Sequence, residues 1–289
     1  MPQPPSASPL ISPEQLALRL KEPGLLVLDV RPSETFEAGH VPGAVQSDYA
    51  ADGWRVARGG AGGLLPEADA LSGLFGRLGL RPDHEVVVVP AGAGVNDFNA
   101  AARVYWTLQV AGHGRVSLLD GGYAAWTRDP SRPVKTGRAQ ARQETTYPVR
   151  LDPRLRAELG DVERAIARRS AALVDARSAA AFEGREKSPQ ARVGGRLPGA
   201  VLADVSDAYD PATNRLRPRE ELDQVFAKVP KGEAISYCNT GHSAAGNWFV
   251  LSEVLGRSGV KLYDGSMTEW TQDANRPVEA GPVKNMQGS

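Results

Sequence analysis

The chain has 289 residues, 41% hydrophobic and 24% charged, an ordinary globular composition long enough for two domains. Lysine plus arginine and aspartate plus glutamate balance at 34 each, so no global charge argues for nucleic acid or an anionic membrane as partner. A single cysteine excludes an intrachain disulfide and a cysteine-based zinc site, and His40, His84, His113 and His242 show no metal-ligand spacing.

Read in chain order, Met1 to Pro9 is rich in proline and serine and lacks a basic-then-apolar leader pattern, so a flexible tail is expected. No apolar run approaches the ~18 residues a membrane helix needs. The expected location is therefore cytoplasmic, or periplasmic if a signal peptide has been trimmed. Ser12, Pro13 and Gln15 form a capping-box start for a helix near Glu14–Leu20. Leu25–Val30, Val86–Val89 and Val116–Leu119 read as buried strands, with a helix over Asn99–Val110. Pro130, Pro133, Gly137 and Pro148 among polar residues mark a linker. Strands follow at Leu173–Ala176, Ala234–Tyr237 and Val260–Tyr263, with a helix over Ala244–Leu255. Strands alternating with helices imply an α/β fold, a parallel sheet flanked by helices in each half.

The chain is written twice. Leu28-Asp29-Val30-Arg31 and Gly39-His40-Val41-Pro42-Gly43-Ala44 are answered by Val174-Asp175-Ala176-Arg177 and Gly195-Arg196-Leu197-Pro198-Gly199-Ala200. Asp120-Gly121 with Trp126, then Arg132-Pro133-Val134, are answered by Asp264-Gly265 with Trp270, then Arg276-Pro277-Val278. Two similar domains are expected at 10–135 and 156–280, joined by a linker over 136–155.

Cys238 closes the strand Ala234–Tyr237 and opens the polar loop Cys238-Asn239-Thr240-Gly241-His242-Ser243, with a helix behind it. Inward backbone N–H groups and a helix N-terminus favour an anion there, and hence a thiolate nucleophile. Free cysteine is also a common inert core residue. Superposing the halves puts Pro90 where Cys238 stands, in a loop with no nucleophile. Pro90 lies 30 positions before Asp120, whereas Cys238 lies 26 before Asp264, so a longer loop is expected in the first half. That asymmetry favours chemistry kept in one half over a core cysteine.

These features together resemble the tandem-domain rhodanese family of sulfurtransferases. The resemblance spans nearly the whole chain and implies two rhodanese-like domains, the first inactive and the second catalytic through Cys238. It implies sulfur transfer from a small sulfur donor, thiosulfate or 3-mercaptopyruvate, through a Cys238 persulfide to cyanide or a thiol acceptor. The N–H groups of the six-residue loop would stabilise the anion without a general base. No metal or organic cofactor is implied, and a monomer is expected. Thr240 and Gly241 agree with the mercaptopyruvate-type loop, while Asn239 and His242 depart from it. The loop also lacks the arginine and lysine of thiosulfate-type relatives. The histidine that serves mercaptopyruvate-type relatives from the first half would fall near Gly63 and is missing.

Arg177 matches the family's substrate-binding arginine. It is expected as an unscreened cation at a strand end, able to hold a sulfonate or carboxylate by two parallel bonds. Glu183 replaces the arginine of the mercaptopyruvate carboxylate site, and Arg185 stands close by as a second substrate-binding candidate. His242 could hydrogen-bond the donor. Asp175, His40 and the tryptophans read as structural. A cysteine phosphatase needs an arginine six positions after its cysteine, where this chain has Ala244. The alternatives to turnover are a persulfide carrier and a redox-sensing or binding module.

Overall fold

The computed structural model describes residues 8–140 and 142–282. The first part of the chain runs β1 (Leu10–Ile11), α1 (Pro13–Arg19), β2 (Leu25–Asp29), α2 (Ser33–Ala38), β3 (Val45–Gln46), β4 (Val56–Arg58), β5 (Ala61–Leu64), α3 (Ala68–Arg77), β6 (Glu85–Val89), α4 (Val95–Val110), β7 (Val116–Leu119) and α5 (Gly122–Thr127). The second runs α6 (Leu159–Arg168), β8 (Ala172–Asp175), α7 (Ala179–Phe182), β9 (Val201–Leu202), β10 (Tyr209–Asp210), β11 (Arg215–Leu216), α8 (Arg219–Val225), β12 (Ala234–Tyr237), α9 (Ser243–Trp248), β13 (Val260–Leu262) and α10 (Ser266–Trp270). A 3-10 turn at Val205–Ala208 and a π-helical segment at Phe249–Val254 complete it.

The chain divides into two compact units. One holds residues up to Val56, Leu65–Leu155 and Tyr209–Pro218; the other holds Ala57–Leu64, Arg156–Ala208 and the residues from Arg219 onward. Two short segments thus belong to the unit opposite to their place in the sequence repeat.

The first unit is built on a five-stranded sheet, β1-β7-β6-β2-β3, all parallel. Its central strands are apolar on both faces, as a sheet covered by helices requires, and Val87 and Val89 are fully buried. Leu16, Val27, Phe36, Leu119 and Trp126 pack around them. The capping box at α1 forms: Ser12 Oγ accepts from Gln15 N, and Gln15 Oε1 accepts from Ser12 N at 2.9 Å. Residues up to 7 of the expected tail lie outside the described residues. Ser8 and Pro9 are fastened to β7, for Leu118 N donates to Pro9 O at 2.8 Å and Ser117 Oγ to Ser8 O at 2.6 Å.

The described residues after Lys135 form neither helix nor strand as far as Leu155 and belong to the first unit. Tyr147 is buried there, edge-on to Phe75, with His113 Nδ1 2.8 Å from its hydroxyl.

The second unit repeats the plan with four parallel strands, β13-β12-β8-β9. The edge strand β1 of the first unit is reduced here to a single parallel bridge from Arg156 to Leu262. Leu173, Ile235, Tyr237, Met267 and Trp270 form the core. The closing tryptophans act alike: Trp126 Nε1 donates to Pro133 O at 3.0 Å and Trp270 Nε1 to Pro277 O at 2.9 Å.

The expected length difference between the two loops is not found. Five residues, Pro90–Gly94, separate β6 from α4, and five, Cys238–His242, separate β12 from α9. The extra residues of the first half lie in the helix. It has 16 residues in α4 against 6 in α9 followed by 6 in the π-helical segment.

Candidate active site

Strand order marks out a candidate site. The chain leaves β8 toward β9 on one side of the sheet and leaves β12 toward β13 on the other. The carboxyl ends of β8 and β12 therefore flank a topological switch point, where open α/β sheets place their ligands. Asp175 and Tyr237, the last residues of these strands, are register partners. The loops that follow carry Arg177 and Cys238.

Asp175 is fully buried, and its carboxylate organises the first loop. It accepts from Arg177 N at 3.0 Å, from Arg177 Nε at 2.9 Å and from Arg177 Nη2 at 2.6 Å. Nη2 also donates to Gly195 O at 2.7 Å, tying the Pro-Gly turn to the strand. Arg177 is thus not the unscreened cation the sequence suggests, because the carboxylate two residues earlier folds back onto it.

The first unit holds the same clamp. Arg31 Nη2 donates to Asp29 Oδ2 at 2.6 Å and to Gly39 O at 2.8 Å. A clamp present in the half that has no cysteine is architectural. What sets Arg177 apart is its remaining nitrogen, Nη1, which donates to Asn239 Oδ1 at 3.3 Å. Burial works against the Arg177 charge, but the Asp175 carboxylate outweighs it and raises the guanidinium pKa, with smaller contributions from Tyr237 and Cys238. The fixed positive group is thus hydrogen-bonded to the residue that follows the cysteine.

The cysteine loop is anchored from below by the start of α10. Met267 N donates to Cys238 O at 3.1 Å and Thr268 N to Asn239 O at 3.0 Å. Ser266 Oγ accepts from Cys238 N at 3.0 Å and from Gly241 N at 3.2 Å, and donates to Tyr263 O at 2.8 Å. The expectation that all the loop's N–H groups surround the anion is corrected: two of them serve this hydroxyl. Ser266 is a contact of the cysteine loop that reading the sequence missed. The signal was there, since the repeat sets Ser266 against Gly122.

Cys238 is 2% exposed. Asn239, Thr240, His242 and Ser243 are half-buried, and Ser243 opens α9. The β4–β5 hairpin supplies a cover from within the same unit. Gly63 has φ +85°, and a Cβ on it would lie 2.1 Å from Thr240 O. No side chain fits there, so the position expected for a histidine is filled by close backbone approach. Gln272 Nε2, donating to Gly60 O at 3.0 Å, ties the hairpin to the end of α10. Arg185 is not drawn into this group; its side chain is 63% exposed and its Nε donates to Glu183 Oε2 at 2.8 Å.

The first half shows what such a loop does without a sulfur. The N–H groups of Ala91, Gly92 and Ala93 donate to the Asp97 carboxylate at 3.0, 2.6 and 3.3 Å. Burial raises the Asp97 pKa against the pull of those three donors and of Arg31. This cradle is filled by the protein's own anion. The matching position in the second half is Ala245, a residue with no carboxylate to offer.

Comparison with known proteins agrees with the repeat. The Rhodanese-like domain model matches residues 12–129 and again 158–273. A thiosulfate sulfurtransferase of Corynebacterium glutamicum is 34% identical, with 94% of this chain and 90% of the relative covered. A Pseudomonas aeruginosa protein named as a probable 3-mercaptopyruvate sulfurtransferase is also 34% identical, covering 96% of this chain and 99% of the relative. Among solved structures, SseA from Escherichia coli, described with the 3-mercaptopyruvate sulfotransferases, superposes with a TM-score of 0.75 at 26% identity. That match covers 90% of this chain and 99% of SseA. The chain belongs to the rhodanese family, as a sulfurtransferase with two rhodanese domains.

Proposed function

We propose that Cys238 is the nucleophile of a two-step sulfur transfer, carried by the second domain (156–280) while the first (10–135) is catalytically silent. The observation that carries this reading is the position of the chain's one cysteine. It stands at the switch point, next in sequence to the Asn239 that the Arg177 guanidinium holds, in a loop whose counterpart in the first half already cradles a carboxylate.

In the first step the Cys238 thiolate attacks the outer sulfur of the donor. A new S–S bond forms, and the donor's bond to that sulfur breaks with its electron pair. Thiosulfate leaves as sulfite. 3-Mercaptopyruvate leaves as the enolate of pyruvate, which takes up a proton. In the second step cyanide carbon, or an acceptor thiolate, attacks the outer persulfide sulfur. Thiocyanate or a new persulfide departs and the Cys238 thiolate returns.

The chain's own groups act by holding charge. The backbone N–H groups at the start of the cysteine loop's helix would stabilise the developing anion, and Arg177 adds a fixed cation. Asn239 is held by that cation. Thr240 lies under the Gly63 backbone, which restricts the site to small sulfur compounds. Arg185, already paired with Glu183, would have to leave that carboxylate to meet a donor.

Relatives bearing both donor names stand at the same identity, so both donors belong in the test. The protein is mixed with thiosulfate or 3-mercaptopyruvate, and its intact mass is read before and after cyanide. The reading expects one added sulfur atom on Cys238, removed by cyanide as thiocyanate. Rapid thiocyanate formation with no sulfur ever found on Cys238 would contradict it.

A further inference from the structure

We infer that Ser266 is a positioning residue for sulfur transfer, an inference that rests on the Cys238 reading above. Its backbone has φ +50°, a left-handed conformation that residues with a Cβ avoid. The matching residue of the silent half is Gly122, with φ +62°, where such a backbone carries no penalty. The chemically equipped half therefore keeps a side chain at a place the fold would sooner give to glycine.

The side chain has one evident use. A hydroxyl offers one hydrogen and two lone pairs. Ser266 is fully buried and all three are taken, by Tyr263 O, Cys238 N and Gly241 N. It has nothing left to give a substrate, so it acts through the loop. It pins both ends of the Cys238–Gly241 turn to one atom.

The first half shows the alternative. A Cβ on Gly122 would lie 2.5 Å from Gly92 N and 2.7 Å from Pro90 O, so that loop sinks into the space the serine occupies in the second half. Its N–H groups then turn to the Asp97 carboxylate. Ser266 thus holds the active loop raised, and it takes up two N–H groups on a neutral atom rather than a competing anion. The place for negative charge is left to sulfur.

The test uses the full chain with Ser266→Gly and Ser266→Ala. Glycine removes both the hydroxyl and the backbone strain; alanine removes the hydroxyl alone. Unfolding midpoints, kcat and KM for both substrates, and the single-turnover rate of persulfide formation are measured for each. A displaced nucleophile costs on the order of 100-fold in rate. That loss is expected in kcat and in persulfide formation for both variants, with KM for cyanide within about threefold of wild type, although glycine relieves the strain. Wild-type turnover in either folded variant overturns the inference, as does a loss that merely follows the unfolded fraction. Cys238→Ser separates the two claims. If it abolishes transfer while the Ser266 variants run normally, only the serine inference fails. If it still transfers sulfur, the nucleophile reading fails.

Discussion

Replacing Gly63 with alanine places a methyl group where the backbone of the cysteine loop already stands. The new carbon would lie 2.1 Å from Thr240 O and 2.9 Å from Thr240 Cβ, against 3.4 Å for ordinary contact, so the two backbones must part by about 1.3 Å. The residue must also keep φ +85°, which costs about 1–2 kcal/mol with a Cβ present. Overpacking adds roughly 1–3 kcal/mol, less whatever the hairpin recovers by swinging away. The expected loss of stability is therefore about 2–4 kcal/mol, a large share of a typical domain's margin. A shift near 1 Å at the Cys238 loop should, if Cys238 is the proposed nucleophile, lower kcat by roughly ten- to a hundredfold. Chemical unfolding and steady-state thiocyanate formation read the two effects separately. Wild-type stability together with wild-type turnover would refute the packing of the hairpin on Thr240.

Three further outcomes follow from the same geometry. Removing the charge from either clamp, by Asp29→Asn or Asp175→Asn, strands a buried arginine and should cost about 3–5 kcal/mol by denaturant titration. Only Asp175→Asn should also lower kcat, because Arg177 touches Asn239; equal turnover in the two folded variants would sink that distinction. Burial, with the nearby His84, depresses the His113 pKa from 6.5 to about 4, so the unfolded chain binds the extra proton first as pH falls. Its contribution is complete above about pH 6.5 and is lost progressively toward pH 4, about 3 kcal/mol in all. Unfolding free energies at pH 7.5 and 5 should show about 2 kcal/mol of that decline in wild type and a flatter profile in His113→Gln. Ser12→Ala removes the α1 cap and should cost about 1 kcal/mol with no change in turnover; a kinetic effect would contradict a purely local role.

Much of this was legible in the sequence because it was written twice. Asp-x-Arg, the Pro-Gly turns and the Asp-Gly…Trp closures recur in order, and their recurrence fixes two parallel sheets with Cys238 at a strand end. Ser12, Pro13 and Gln15 announced their helix because a capping box is a local device. What failed was non-local. Arg177 looked like a free cation since nothing in a linear reading says that Asp175 bends back onto it. The length difference after Pro90 and Cys238 suggests unequal loops, whereas it lies in the helix, where one turn can be lost without disturbing the strand end. Residues 57–64 read as part of the first half but belong to the second unit, so Gly63 could be seen only as a missing histidine. Ser266 was visible as a serine facing a glycine across the repeat, but its weight depends on a positive φ and two N–H bonds that only coordinates reveal.

The most direct test of the account is the rate of thiocyanate formation by wild type and Cys238→Ser, with thiosulfate and 3-mercaptopyruvate supplied in parallel. The account predicts turnover by the wild-type chain with at least one donor and none above background for the serine variant with either. Sulfur transfer at the wild-type rate by folded Cys238→Ser would contradict it, and would move the chemistry away from the β8–β12 switch point altogether.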